Sequence, residues 1–176
     1  MAPHAVSAPA PSGNNGGVAA AEFPTTVGYT VLVLAHAGLA ALSLVIVVTS
    51  SVEGYRLAMT GTRELSAHQR RYFATSSSLA PRLLYAVPIT GAWLLVVSRG
   101  AATIRAPWIG IGICCWLAAI AVTEVVLLPT EAAIATALNE GGTPSLRSLG
   151  LRLHRWAAAA GAVVLFAGIC MVWQPG

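Results

Sequence analysis

His36 is the residue whose chemistry and position stand out most, because it lies within a long apolar stretch. It comes about nine residues after that stretch begins, roughly 13 Å below the membrane boundary if the stretch is a helix crossing a bilayer. An imidazole is costly in lipid and is found there mainly as a haem ligand, metal ligand, proton carrier or interhelical hydrogen-bonding group. His36 is therefore a candidate ligand or proton site. A neutral histidine bonded to a neighbouring helix is the structural alternative.

A b-type haem held by two histidines requires both at matching depth on facing helices. His68 and His154 fall on the opposite side of the predicted membrane from His36, and His4 lies near the N-terminus. Such ligation would need the first helix to be displaced strongly along the membrane normal. Haem b is therefore an alternative cofactor that the histidine spacing disfavours.

Copper is a second alternative cofactor, because soft sulfur ligands are expected at about the depth of His36. Cys114, Cys170 and Met171 belong to that half of the predicted bundle, and thiolate, thioether and imidazole all suit copper. Adjacent cysteines on a helix point about 100° apart, so Cys114 and Cys115 do not readily share one ion. Free cysteine is also an ordinary small core residue, which is the structural alternative.

Arg82 and Glu124 are the candidate intramembrane ion pair. They lie near the same ends of the second and third apolar stretches, which places them at similar depth on antiparallel neighbours. Pairing lowers the cost of each charge in lipid. The pair would act either as a structural contact at the interface or as a gate for protons or a substrate in a small carrier. Glu53, Glu131, His154 and Arg155 could join it.

Composition identifies the elements that must position these residues. The chain has 176 residues, of which 56% are hydrophobic and only 9% charged, and its mean hydropathy is +0.74. So little charge could not cover the surface of a soluble protein, so lipid is the expected solvent. No nucleophile elbow, Walker loop, HExxH motif or dinucleotide fingerprint is present. These observations predict a non-enzymatic membrane protein.

Four apolar stretches of about 20 residues predict an all-α bundle of four transmembrane helices running up, down, up and down. They cover 27–49, 79–98, 107–128 and 153–173, within one domain at 27–176. Helical extensions are expected at 50–59 and 66–79, and after Pro129 at 130–138. Residues 1–26 are rich in Pro, Ala, Ser and Gly and predict a disordered tail rather than a signal peptide.

Arginine placement predicts the orientation in a cell inner (plasma) membrane. Every basic residue is arginine; eight fall on one side and only Arg99 and Arg105 on the other. The Arg-rich side is cytoplasmic by the positive-inside rule, which leaves both termini outside the cytoplasm. The Ala-, Arg- and Gly-rich usage is typical of a GC-rich bacterium. The eight arginines are Arg56, Arg63, Arg70, Arg71, Arg82, Arg147, Arg152 and Arg155.

Small residues on the fourth stretch predict a close helix contact. Ala157, Gly161 and Gly168 could form a face for a protein partner or a second copy of the chain, since small residues let helix backbones approach in membranes. This face motivates the idea of an accessory subunit of a larger membrane complex. No nucleic-acid partner is expected, because the basic residues are not clustered with interleaved aromatics.

The order of these features resembles a bacterial family of four-helix integral membrane proteins of unknown function. The matching points are Leu-Ala-His-Ala-Gly at 34–38, Pro-Ile-Thr-Gly at 88–91, Leu-Leu-Pro at 127–129 and Met-Val-Trp-Gln-Pro at 171–175. Gln174 departs from the basic residue of the family's ending. The layout is less similar to copper-resistance-D-type membrane domains, whose additional helices and paired histidines are missing here. The resemblance implies the fold and brings no activity.

Overall fold

A computed structural model describes residues 26–60, 65–75, 80–98, 105–140 and 146–173, apart from the side chains of residues 75 and 80–82. Every regular element in these ranges is helical. The predicted tail at 1–26 lies almost entirely outside them. The elements are α1 (Val27–Thr60), α2 (Ala67–Thr75), α3 (Ala80–Val97), α4 (Pro107–Val122), a π-helical segment (Thr123–Leu127), α5 (Leu128–Asn139) and α6 (Leu146–Trp173).

The helices extend beyond the apolar stretches. Helix α1 continues through 50–60 and α6 begins at Leu146 rather than at 153, so both are longer than a bilayer core requires. Within the predicted early start of the second apolar helix, the described residues 67–75 form the short helix α2. Its bounds follow local chemistry: the Ser66 hydroxyl accepts from the Gln69 amide and the Gln69 side chain accepts from the Ser66 amide, a reciprocal N-terminal cap.

Three helical rods are long and apolar enough to cross a membrane: Val27–Thr60, Pro107–Asn139 and Leu146–Trp173. A fourth apolar helix, Leu83–Val97, is shorter. The chain therefore has the character of a membrane-spanning protein. At 1.5 Å per residue, the 18 residues of α3 cover about 27 Å, close to the ~30 Å hydrocarbon core.

Pro129 is accommodated without breaking the third rod. Proline has no amide hydrogen to donate and crowds the preceding turn, so a regular α-helix would kink at this position. Here the preceding turn widens into the π-helical segment, where the Leu128 amide donates to the Thr123 carbonyl five residues earlier. The Thr130 hydroxyl donates to the Val126 carbonyl at 2.6 Å. α4 and α5 thus form one continuous rod.

Helix α1 lies between α6 and α3, and α6 also packs on α4. The closest approach joins α1 to α6: a Cβ built on Gly54 would lie 2.9 Å from the Gly150 carbonyl oxygen, and one on Gly150 would lie 2.7 Å from the Gly54 carbonyl oxygen. Only glycine permits such contact between backbones. α3 touches α4 far less than it touches α1. The seam between α3 and α4 is therefore the loosest of the main helix contacts.

The small residues of α6 do not share one exposed face. Ala157 and Gly161 are buried, and Gly161 faces Leu44, Val47 and Val48 of α1. Gly168 is exposed, with no atom within 4 Å of a Cβ built there. Ala157 and Gly161 thus pack within this chain. Association with another chain stays a prediction, with Gly168 as the exposed member of the predicted face.

The two ends of the bundle differ in how tightly their helices pack. The His36 end comprises 27–42 of α1, 87–97 of α3, 107–116 of α4 and 164–173 of α6. The Glu53 end comprises 50–60 of α1, α2, α5 and 146–157 of α6. In α1, every buried residue lies at position 43 or later, so the described core is concentrated towards the Glu53 end of this helix.

Candidate functional site

Pro88 determines the local structure of α3 at the His36 end. It removes the amide that would donate to the Leu84 carbonyl, leaving an orphan acceptor in the helix. The indole Nε1 of Trp116, on α4, donates to that carbonyl at 2.8 Å, and both side chains are buried. A side chain on α4 thus supplies the hydrogen bond that α3 lacks, and ties the two helices together at their loosest seam.

Thr90 anchors the ring of His36. The Thr90 hydroxyl lies 3.0 Å from the Ala86 carbonyl and 2.9 Å from the Val87 carbonyl, so its single hydrogen is donated within α3. Its oxygen lies 2.9 Å from His36 Nδ1 and, with its hydrogen turned to a carbonyl, accepts from a proton on Nδ1. This geometry favours the neutral tautomer that is protonated on Nδ1. In that tautomer the lone pair of Nε2 is available to a bound molecule.

Gly91 makes room for the imidazole. A Cβ built on Gly91 would lie 3.2 Å from His36 Cε1 and 3.7 Å from Nδ1. A larger residue would push the ring away from Thr90. Three neighbouring positions of α3 therefore have complementary roles. Pro88 leaves a carbonyl without its backbone donor, Thr90 forms a hydrogen bond with the ring of His36, and Gly91 leaves room for that ring.

A cavity of about 470 Å³ lies beside His36 among α1, α3, α4 and α6. Its wall is almost wholly apolar and aromatic, and His36 is the ionisable group on it together with the phenol of Tyr29. Ligand cavities combine an apolar lining with a few placed polar groups. Besides His36, the lining side chains include Tyr29, Trp108, Trp116, Val87, Leu95 and Met171.

The soft sulfur residues divide between two places. Met171 lines the cavity with His36 and packs over Gly112, where a built Cβ would lie 2.7 Å from its Cε. Cys170 is buried, Cys115 is half-buried and Cys114 is exposed, and the cavity lining includes none of these three. Among the described residues, no three His, Cys, Asp or Glu side chains are grouped to hold a metal ion. Of the predicted sulfur ligands, Met171 is therefore the one that shares the cavity with His36.

The predicted Arg82–Glu124 pair falls partly outside the described residues, because the side chain of Arg82 is not among them. Glu124, in the π-helical segment, is exposed and accepts a hydrogen bond from the Tyr85 hydroxyl at 2.9 Å. Tyr85 lies on α3, three residues from Arg82, so α3 does approach Glu124. An ion pair with Arg82 stays a prediction.

The Glu53 end holds a second polar cluster, between α1, α2 and α5. The Ser50 hydroxyl donates to Glu131 Oε1 at 3.0 Å and lies 2.7 Å from the Tyr72 hydroxyl, which is 3.4 Å from the same Glu131 oxygen. Burial raises the pKa of the Tyr72 phenol well above its ordinary value, and the charge of Glu131 raises it further. Tyr72 therefore stays protonated and acts as a donor.

Two further residues predicted to join a polar rim occupy distinct places. The His154 ring lies 3.0 Å from the Ser51 hydroxyl and packs against Tyr55, linking α6 to α1. Glu53 is only 3% exposed; its Oε1 accepts from Arg56 at 3.0 Å, and its Oε2 is buried without a hydrogen-bond partner. Glu53 and His154 therefore face different neighbours.

Several residues of both clusters escape sequence reasoning. Thr90, Gly91 and Trp116 are ordinary residues in apolar helices, and Tyr72 is an interfacial aromatic by position. The available signal was Pro88, which indicates an unpaired carbonyl one turn earlier, and the Thr90-Gly91 pair that comes after it. Which side chain supplies the missing hydrogen bond to that carbonyl depends on how the helices pack.

No protein-family model matches the chain, and neither the curated proteins nor the solved structures contain a significant match.

Proposed function

We propose that this chain is a non-enzymatic membrane protein that binds a small lipid-soluble molecule carrying a hydrogen-bond donor, such as a phenol or hydroquinone. The cavity beside His36 carries the proposal. The wall is largely apolar, and the acceptor on Nε2 is oriented by the Thr90 bond. A donor on the ligand would pair with Nε2, and the remainder of the molecule would contact the aromatic wall.

The membrane arrangement belongs to the same proposal. Four helices span a bacterial inner membrane, α3 being the shortest, with the Arg-rich Glu53 end in the cytoplasm and the start of α1 and end of α6 outside. The eight-to-two arginine distribution supports this orientation. A reporter that is active only outside the cytoplasm, fused after α6, should be active, whereas one inserted between α5 and α6 should be silent. The reverse pattern would refute the orientation.

Ligand binding is tested by titrating the purified full chain with a short-chain alkylhydroquinone. Trp108 and Trp116 line the cavity, so occupancy should change the intrinsic tryptophan fluorescence. His36→Phe removes the acceptor and should weaken binding about tenfold, since one hydrogen bond contributes about 1–1.5 kcal/mol. His68→Phe, an exposed histidine of α2, is the matched control and should bind like the parent.

An alkylbenzene of the same chain length distinguishes recognition from simple partitioning. It lacks the donor and should bind the parent and His36→Phe equally weakly. If the hydroquinone binds both proteins with the same affinity, the proposed role of His36 is refuted.

Copper(I) is the second candidate, because His36 and Met171 line one cavity and imidazole and thioether are ligands that copper accepts. Metal analysis and an optical spectrum of the purified protein decide this case and the haem alternative together. A metal-free, colourless preparation that takes up no copper(I) rejects both. Copper(I) uptake that is lost in Met171→Leu would support the metal site.

The likeness to the four-helix family, and a role as an accessory subunit, are proposals of a different kind. The family likeness rests on short motifs, of which those at 34–38 and 88–91 lie at the site just described. The exposed apolar surface of 27–42 and Gly168 offers room for a partner helix. Purification in mild detergent that yields only monomers without a bound partner would count against the subunit role.

A further inference from the structure

Glu53 presents a polar atom whose requirements the described residues do not meet. The side chain is 4% exposed, and Oε2 is buried without a hydrogen-bond partner. A desolvated carboxylate oxygen costs several kcal/mol unless a donor or cation compensates it. Arg56 contributes one bond to Oε1 and offsets part of the charge of Glu53, but its side chain is 59% exposed and it does not bond to Oε2.

The neighbouring hydroxyl hydrogens are directed elsewhere. Ser50 donates to Glu131, and Tyr72 donates either to Ser50 or to Glu131. Neither hydrogen is therefore free for Glu53. The Ser50 and Tyr72 oxygens keep unused lone pairs, because each hydroxyl offers two acceptor sites.

These oxygens lie near Glu53. Ser50 and Glu53 are three residues apart on α1, which places them on one helix face about 5–6 Å apart at Cβ. The charge of Glu53 also raises the pKa of the Tyr72 phenol on α2, so the two residues are within electrostatic reach of each other. The unpartnered Oε2 of Glu53 and the hydroxyl oxygens of Ser50 and Tyr72 thus belong to the same polar region of the Glu53 end.

We propose that Glu53 Oε2, with the hydroxyl oxygens of Ser50 and Tyr72, binds one sodium-sized cation. Hard cations prefer oxygen ligands of this kind. Arg56 already offsets part of the charge of Glu53, which favours a monovalent ion over a divalent one. Glu53 itself is buried, and a close-packed interior admits only a small occupant.

The ion can reach this place from water without crossing hydrocarbon. Glu53 follows the start of α1 by 26 residues, or about 39 Å, which is beyond the ~30 Å apolar core of a bilayer. The ion would tie α1 to α2 at the Glu53 end. The site is separate from the cavity beside His36, and neither proposal depends on the other.

The experiment is thermal unfolding of the purified full chain in sodium chloride, with N-methylglucamine chloride replacing sodium at constant ionic strength and pH. Sodium should raise the Tm by about 2–4 °C and the effect should saturate, as expected for a ligand bound only by the folded state. Glu53→Gln should remove the sodium response. Glu140→Gln, at an exposed carboxylate beyond α5, should keep it.

Radioactive sodium binding to the parent chain provides a second measurement that needs no variant and should reach one ion per chain. Ser50→Ala should raise the half-saturating sodium concentration about tenfold, the change expected when one ligand contributing about 1.4 kcal/mol is lost. Equal Tm values in sodium and N-methylglucamine overturn the proposal and assign the space to a water molecule. An equal response to potassium overturns the assignment of ion size, and a sodium response that persists in Glu53→Gln overturns the role of Glu53.

Discussion

At the Glu53 end, the backbones of α1 and α6 touch at Gly54 and Gly150. At the other end of the same two helices, a Cβ built on Gly38 or Gly168 would meet no described atom within 4 Å beyond its own stretch of helix. The closely packed end also carries side-chain bonds from α1 to α2, α5 and α6. The His36 end carries the cavity, the bond from His36 to Thr90 and the bond from Trp116 to the Leu84 carbonyl. The Glu53 end thus brings the helix backbones together, and the His36 end leaves a cavity between the helices.

Glycine serves both ends, but with opposite results. Gly54 and Gly150 remove side chains so that backbones meet, while Gly91 and Gly112 remove them so that His36 and Met171 fit beside the cavity. In lipid, where burial of apolar surface gives little drive for helix association, close backbone packing becomes a major source of stability. The Glu53 end should therefore dominate the stability of the bundle.

The largest expected effect is that of Gly54→Ala. The new Cβ would lie 2.9 Å from both the Gly150 oxygen and the His154 nitrogen, and these backbone atoms cannot move aside. We expect a loss of about 2–3 kcal/mol in the free energy of unfolding, typical of an overpacked core. Gly38→Ala, the same substitution on the same helix, should have little effect. Thermal or denaturant unfolding in detergent compares them, and equal losses would remove the distinction between the two ends.

The membrane character of this bundle could be predicted, because long apolar runs are a local property of the chain. The extension of α1 to Thr60 and the helix after Pro129 were also predicted. The π-helical segment was not, since a widened turn and a kink are alternative responses to the same missing amide.

The candidate site could be predicted only in part. The depth of His36 follows from counting along an apolar run, but its partner Thr90 depends on how α1 and α3 are rotated about their axes. The burial of Ala157 and Gly161 against α1 has the same origin. A small-residue pattern predicts close packing, but it does not tell whether the neighbour belongs to the same chain.

Trp116→Phe tests which hydrogen bond stabilises the His36 end. It retains an aromatic ring but leaves the Leu84 carbonyl without a donor, which should cost about 1–3 kcal/mol in unfolding free energy. Adding Pro88→Ala restores a backbone amide at the position that would serve this carbonyl and should recover part of the loss. Trp93→Phe, at an exposed indole, is the control. If Pro88→Ala does not offset Trp116→Phe, the Trp116 bond is not a substitute for the missing amide.

Gly91→Ala sharpens the description of the cavity. Its Cβ would lie 3.2 Å from His36 Cε1, so the ring must shift by a few tenths of an ångström and its bond to Thr90 should weaken. Nitrogen NMR of histidine-labelled protein should show a proton on Nδ1 of His36 in the parent and a mixed tautomer in the variant. Gly110→Ala, where no atom lies within 4 Å, is the matched control and should leave the spectrum unchanged.

The smallest effect concerns the pH dependence of the Glu53 end. Because burial and Glu131 raise the pKa of Tyr72, the folded protein holds this proton more tightly than the unfolded chain does. The stability that results is complete below the ordinary tyrosine pKa of about 10 and declines as the pH rises above it.

Tyr72→Phe should lower stability near neutral pH, through the lost hydrogen bonds, and should reduce the steepness of the alkaline decline. Unfolding measured from about pH 8 to pH 11, a range that brackets the ordinary tyrosine pKa, checks this. Parallel curves for parent and variant would show that Tyr72 has no part in the decline.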